Sequence, residues 1–422
     1  MRKLVLPLWL AAALSSPVCV FAQAYAPAPQ IYQTTATPVA DDVATLTLDA
    51  ALARASAGSF SLSAAGLEVE AADGAVMQAQ VRPNPEFATS VEDTRRDSRS
   101  TTAQFNIPVE LGGKRAARMT ASELGRDVAA AQLNTVRAQL RADVIAAFFD
   151  VLIAQERVKL SRASASLAAQ GVRIAGRRVE AGKISPVEEL KARVEQANAE
   201  LGVTEAQAAL ESAKYTLTAL WGATTSSFTD VGGDLDALPE RPAPALLLQA
   251  LAESPEMVAG RLESDRRRAM IEVERSKRYP DITFSAGAKR NNELGVTQAI
   301  VGVSIPLPVF DRNQGNLYEA LKRADKAQDE YQATQVRLAA DLRRAANELG
   351  VSRTSVQTLR SAILPAAEQA FDAASRGFEA GKFNFLEVLD AQRTLFQARL
   401  RYLDLLAKTY QAAANIDRIL GR

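Results

Sequence analysis

The chain has 422 residues, 47% of them hydrophobic but only 6% aromatic, with no histidine and one cysteine, Cys19. This excludes a Ser-His-Asp or Cys-His catalytic site and a zinc site of the usual nitrogen and sulfur ligands, leaving an enzyme only lysine, carboxylate or tyrosine chemistry. Fifty basic side chains against 49 acidic ones leave a net charge of +1, which gives no electrostatic footing for nucleic acid.

Residues 1–24 read as an export signal: Arg2 and Lys3, an apolar run from Leu4 to Leu14, and small residues around Ala22-Gln23-Ala24. At about 11 residues that run is too short to span a bilayer, which takes roughly 20. A lipoprotein signal would instead make Cys19 the acylated first residue, but Ser16-Pro17-Val18 lacks the small neighbour such a site carries. Residues 25–45, with Pro27, Pro29 and Pro38, have the composition of an extended arm.

From there the chain is written twice. Leu48-Asp49-Ala50-Ala51-Leu52-Ala53 returns as Leu247-Leu248-Gln249-Ala250-Leu251-Ala252, Ile107-Pro108-Val109 as Ile305-Pro306-Leu307, and Glu180-Ala181-Gly182-Lys183 as Glu379-Ala380-Gly381-Lys382. Self-similarity in one order marks an internal repeat. The expected units are 46–221 and 245–422, joined by a Gly/Pro-rich segment, 222–244.

In the first unit, Phe87, Thr89 and Val91, then Ala103, Phe105, Ile107 and Val109, alternate with polar or small neighbours, predicting a hairpin over 86–109 with a loop at Asp93–Ser100. A run without proline follows, carrying Leu133, Val136, Leu140, Val144, Phe148, Val151 and Val158 at helical spacing. It predicts one helix over 114–181, roughly 100 Å long at about 1.5 Å per residue, which suits an extended bundle. A return helix is expected at 186–220. The second unit repeats the plan: a hairpin over 281–306 with its loop at Lys289–Gly295, a long helix over 315–380 kinked at Pro365, and a return helix over 386–420.

Taken alone, the hairpins fit ordinary surface hairpins with one buried face. Beside such long helices in an exported chain they also fit a membrane, where strands must close into a barrel. Four strands cannot close, small bacterial barrels having at least about eight, whereas three chains would supply twelve. Phe87, Val91, Phe105, Ile107, Ile282, Phe284, Val301 and Val303 would then face lipid. Gln104, Asn106, Thr283, Ser285 and Gln298 would face water.

The duplicated order of helices, hairpin, long helix, tip turn and return helix resembles the TolC-like outer-membrane efflux proteins. Three finer segments are similar to the CzcC-type branch serving cobalt, zinc and cadmium resistance: Arg82-Pro83-Asn84-Pro85, Glu110-Leu111-Gly112-Gly113-Lys114-Arg115, and the run from Ile305 to Gly315. The resemblance implies a mainly α fold of very long antiparallel helical hairpins with four transmembrane strands per chain. It implies a homotrimeric α/β-barrel in the outer membrane that extends into the periplasm. It also implies docking to a periplasmic adaptor and an inner-membrane resistance-nodulation-division pump, export of metal cations, no catalysis and no cofactor. A multidrug channel and a non-channel periplasmic coiled-coil protein are the alternatives; two lipid-pattern hairpins at equivalent places do not suit the latter.

Glu387 and Asp390 follow the second tip turn at i and i+3, hence on one helix face. In the resembled family two carboxylates so spaced line the periplasmic constriction, and Glu188 stands at the equivalent place in the first unit, with Lys191 in place of the second carboxylate. No tight metal site is expected, because a duct must release what it carries. Gly182, Lys183, Gly381 and Lys382 are candidate adaptor contacts, although Gly-Lys also ends many helices. Phe378 and Phe383 occupy positions where family members carry a Tyr and an Arg that tie neighbouring coils in the closed state, so any lock here must rest on apolar packing or on other pairs.

Overall fold

A computed structural model of the chain describes residues 43–93 and 95–422. The signal 1–24, Cys19 and the arm up to residue 42 lie outside the described residues. In chain order the first elements are β1 (Val43–Leu46), α1 (Leu48–Gly58), α2 (Phe60–Gln80), β2 (Glu86–Glu92), β3 (Ser100–Val109), α3 (Lys114–Glu180) and α4 (Pro186–Ala219). They are followed by β4 (Phe228–Val231), α5 (Pro244–Ala250), α6 (Pro255–Ser276), β5 (Ile282–Asn291), β6 (Val296–Ser304), α7 (Gln314–Thr358), α8 (Leu364–Glu379) and α9 (Phe385–Leu420).

The helix α3 is one uninterrupted rod of 67 residues. Its stripe buries Val144, Phe148 and Val151 against Leu46, Ala51, Leu217, Phe228 and Val231. The second half has its own core, in which Leu338 and Leu342 of α7 meet Leu247, Met257 and Ile416. Between the two, Ile153, Val356, Leu406 and Tyr410 join the halves. Each half thus fills its own apolar seam and shares a third with its copy. No described helix is long and apolar enough to cross a membrane.

In the second long helix, Leu359–Ile363 form a π turn between α7 and α8, just before Pro365. Proline has no N–H to donate and crowds the carbonyl four residues back, and a widened turn just before it relieves both problems. Two corrections concern strands. Residues 43–45, read as the end of an arm, open a strand: β1 pairs in parallel with β4, inside the segment read as a linker. In the second hairpin β5 extends to Asn291, because Lys289 stays in the ladder opposite Thr102 and Gln298 and pairs with Glu92 at 2.6 Å.

The two hairpins merge into one antiparallel sheet of order β2-β3-β5-β6. Phe87 opposes Phe105, Ile107 opposes Phe284, and Phe284 opposes Val303, so the exposed apolar residues fall on one face. Gln104, Asn106, Ser285 and Lys289 alternate with them on the other. On that polar face a Cβ on Gly287 would lie 2.3 Å from the Ala103 oxygen, which is why a glycine stands in mid-strand where β3 approaches closely.

Candidate functional site

The tips of the two helical hairpins end alike. At the first, Gly182 takes φ +68°, its N–H donates to Val179 O at 2.9 Å, and Lys183 N donates to Arg178 O at 2.8 Å. At the second, Gly381 takes φ +72°, donating to Phe378 O at 3.0 Å, and Lys382 N donates to Gly377 O at 2.8 Å. These paired bonds satisfy carbonyls left over at a helix end, and the positive φ explains the glycines. Both lysines are exposed.

The return helices also start alike. Ser185 accepts from Val187 N at 3.3 Å, and Asn384 accepts from Glu387 N at 3.0 Å. Glu188 and Glu387 therefore sit three residues after their caps, in the first turn, where a carboxylate is favoured by the exposed N–H groups. This capping arrangement is visible in the sequence as Ser-x-x-Glu and Asn-x-x-Glu.

Between α4 and α9 near the tips lies a groove of about 710 Å³ whose wall includes Leu190, Lys191, Leu386, Glu387, Asp390 and Arg393. Glu387 and Asp390 are both exposed there. Glu188 is not part of that wall: it is half-buried, and its Oε2 is buried without a hydrogen-bond partner among the described residues. The two halves differ at this point, and only the second presents its carboxylates to the groove.

Of the two cations beside them, Lys191 is visible from the repeat and Arg393 is not. Arg393, one helical turn after Asp390, reaches across to Glu195 of α4 through Nη2 and, at 3.2 Å, through Nε. The hydrogen bond to Glu195 holds the Arg393 guanidinium above its ordinary pKa against the opposing effect of burial, with Asp390 adding to the same direction. Lys191 stands on the same wall, so the groove sets two carboxylates, Glu387 and Asp390, against two cations, Lys191 and Arg393.

Phe378 and Phe383 have distinct places. Phe378 is buried, its ring 5.6 Å from Phe385 in a tip cluster with Ala175, Ala192 and Leu389. The Arg178 guanidinium lies 3.9 Å over that ring, and its Nη2 donates to Phe378 O at 2.7 Å. The first hairpin is thus fastened to the second by a cation over an aromatic face. Phe383 is exposed and its ring covers Gly377, where a Cβ would come within 2.1 Å.

The outer membrane efflux protein family matches the chain twice, over residues 51–223 and 246–422, in step with the duplicated fold. The cobalt-zinc-cadmium resistance protein CzcC of Cupriavidus metallidurans is 58% identical over 424 residues, covering 100% of both chains. Two solved structures share the fold. A membrane protein from Pseudomonas aeruginosa has a TM-score of 0.78 at 20% identity, over 88% of this chain and 92% of that one. The outer membrane protein VceC of Vibrio cholerae has a TM-score of 0.74 at 18% identity, over 89% and 96%. With two family matches covering both repeats and the sheet and paired coils on which they fall, the chain belongs to the outer membrane efflux protein family.

Proposed function

We propose that three copies of this chain form the passive exit duct of a heavy-metal efflux system of the cobalt-zinc-cadmium kind, fed by an inner-membrane resistance-nodulation-division pump through a periplasmic adaptor. The observation that carries this reading is the full-length identity to CzcC. In the assembly the polar sheet face lines the bore, and the groove between α4 and α9 faces the axis at the periplasmic mouth. Glu387 and Asp390 of three copies then make two carboxylate rings, and Lys191 and Arg393 moderate the field. Cations concentrate at such a mouth and are not held there, since rings of surface carboxylates attract without enclosing. The exposed Lys183 and Lys382 at the two tips are the proposed contacts of the adaptor, with Gly182 and Gly381 setting the turns that present them.

Two measurements test this. Loss of the chain lowers tolerance to zinc, cobalt, cadmium and nickel while leaving tolerance to dyes and antibiotics unchanged; the reverse pattern refutes the metal reading. In planar bilayers, Glu387→Gln with Asp390→Asn lowers cation selectivity and Lys191→Ala raises it. Unchanged selectivity in both removes the carboxylate rings.

A further inference from the structure

The polar face of the sheet is written almost without charge. Among the described residues, the ladder registers give it three charged side chains: Glu86 and Glu92 at the two ends of β2, and Lys289 on β5. Glu92 opposes Ser100, and Ser100 opposes Asn291, so this is the last row before the hairpin loops, at the end away from the coils. Glu86 opposes Asn106, toward the coils. Six residues of strand, about 20 Å, separate the two carboxylates.

The two carboxylates are answered differently. Lys289 reaches across β3 from the next row and places Nζ 2.6 Å from Glu92 Oε2, which also accepts from Ser100 Oγ at 3.2 Å. Asn292 holds the row in place by joining the two hairpin loops, its N donating to Arg99 O at 3.1 Å and its Nδ2 to Arg96 O at 3.2 Å. Glu86 is exposed and has no cation partner among the described residues. Val296–Ser304, the strand that meets β2 of the next copy, carries no charged residue, so a neighbour's strand brings none to either end. An exposed ion pair adds little stability, and uncharged side chains such as Thr102, Gln104 and Gln298 serve the rows beside it, so stability is a weak reason for the pair.

We infer that Glu92 and Lys289 form a charge-compensated exit ring for divalent cations, set against an uncompensated Glu86 ring at the inner end of the same barrel. This rests on the reading of the polar face as the bore of a three-chain duct with its coils in the periplasm. In three copies Glu86 gives three bare carboxylates where ions enter the barrel, and the outer row gives three carboxylates neutralised by three lysines. The rings lie farther apart than the screening length of about 8 Å at physiological salt, so each sets its own local field. A divalent cation is drawn to the first ring and meets little attraction at the second. Fixed charges do no work on a passive flow, but they decide where ions dwell. A departing cation does not linger at the exit, and cations outside are not concentrated at the rim, where they would obstruct it.

The test reads single channels in planar bilayers with cobalt added to one side at a time, in Glu387→Gln, Asp390→Asn protein so that the tip carboxylates do not mask the barrel. Lys289→Gln bares three carboxylates at the exit: extracellular cobalt is expected to block at a severalfold lower concentration and cation selectivity to rise. Glu92→Gln leaves three lysines, and both readings are expected to move the other way. A pair that merely stitches the hairpins together is lost equally in both variants, so shifts in one direction, or none, overturn the inference. Glu92→Gln with Lys289→Gln loses the pair but keeps the charge balance, and is expected to match the parent channel; a departure as large as that of either single variant counts against the ring. Glu86→Gln should weaken cobalt block from the periplasmic side alone, and equal weakening from both sides, or none, removes the asymmetry. Heat-modifiable migration checks that each barrel is assembled. An assembled parent protein that opens no channel refutes the duct reading itself, whereas channels whose variants shift together refute the exit ring alone.

Discussion

Arg178 touches Phe378 twice, through the guanidinium face over the ring and through Nη2 to the main-chain oxygen, so no other side chain imitates it. Lysine keeps the charge but loses the planar fork that serves both contacts. We expect Arg178→Ala to cost about 1–2 kcal/mol of local stability at the tip, and Arg178→Lys less, from the worth of a partly desolvated cation over a ring. Amide exchange of residues 378–383 measures it: faster in Arg178→Ala, intermediate in Arg178→Lys. Exchange at the same rate in all three proteins would mean the pair fastens nothing. The pair illustrates what the sequence could not disclose. Glu387 and Asp390 stand out because they are three residues apart on one helix. Arg178 and Phe378 are 200 positions apart, and only packing of the two halves brings them together. Glu188, equivalent to Glu387 in the repeat, is half-buried and lies off the groove wall, a difference in packing between the two return helices that the repeat does not disclose.

Among elements, legibility follows length. The 67-residue helix and the two hairpins each show many turns or alternations of one period, whereas β1 and β4 have four residues apiece, too few for a period to register. What holds those short strands is a side chain acting as a third strand. Gln155 of α3 is buried, and its amide accepts from Val231 N at 2.7 Å and donates to Val231 O at 3.1 Å. Gln155→Leu fills similar space but leaves a buried N–H and C=O without their partner, and should cost about 1–3 kcal/mol. Unfolding temperature and protease cleavage within 222–244 report it; an unchanged pattern in both excludes the clamp. On the same segment the Tyr410 ring stacks on Phe149 at 3.6 Å, and its hydroxyl donates to Ala237 O at 3.1 Å. Burial, with the nearby Asp234 carboxylate in support, pushes the Tyr410 phenol up to about 12. A phenol raised in the folded state contributes stability that is complete below its unfolded value of about 10 and is lost as pH rises through 12. We therefore expect the wild type to lose stability between those values, and Tyr410→Phe, less stable at neutral pH, to show a shallower decline. Parallel curves would show that the phenol does not titrate with unfolding.

For the whole molecule the number of copies is decided at the sheet. Its order leaves β2 and β6 with unpaired edges, and in hydrocarbon every exposed backbone group costs several kcal/mol, so the edges must meet partners. Antiparallel order places β6 of one copy beside β2 of the next, which permits a ring of two copies with eight strands or three with twelve. Eight strands enclose an interior that side chains fill, whereas a larger ring leaves room for water. Gln104, Asn106, Ser285 and Lys289 on the inner face are polar and only half-buried within one chain. An eight-stranded ring would crowd them into a closed core without partners for each, and twelve strands keep them hydrated. We expect cysteine pairs, one scanned along β2 and the other along β6, to yield on oxidation a ladder that ends at three chains, and mild detergent to release the same size without cross-linking. Cys19 is the chain's only native thiol, so bridging reports the seam alone once Cys19→Ser is included. A ladder ending at two chains would favour the filled barrel and take away the water-filled bore on which passive export depends.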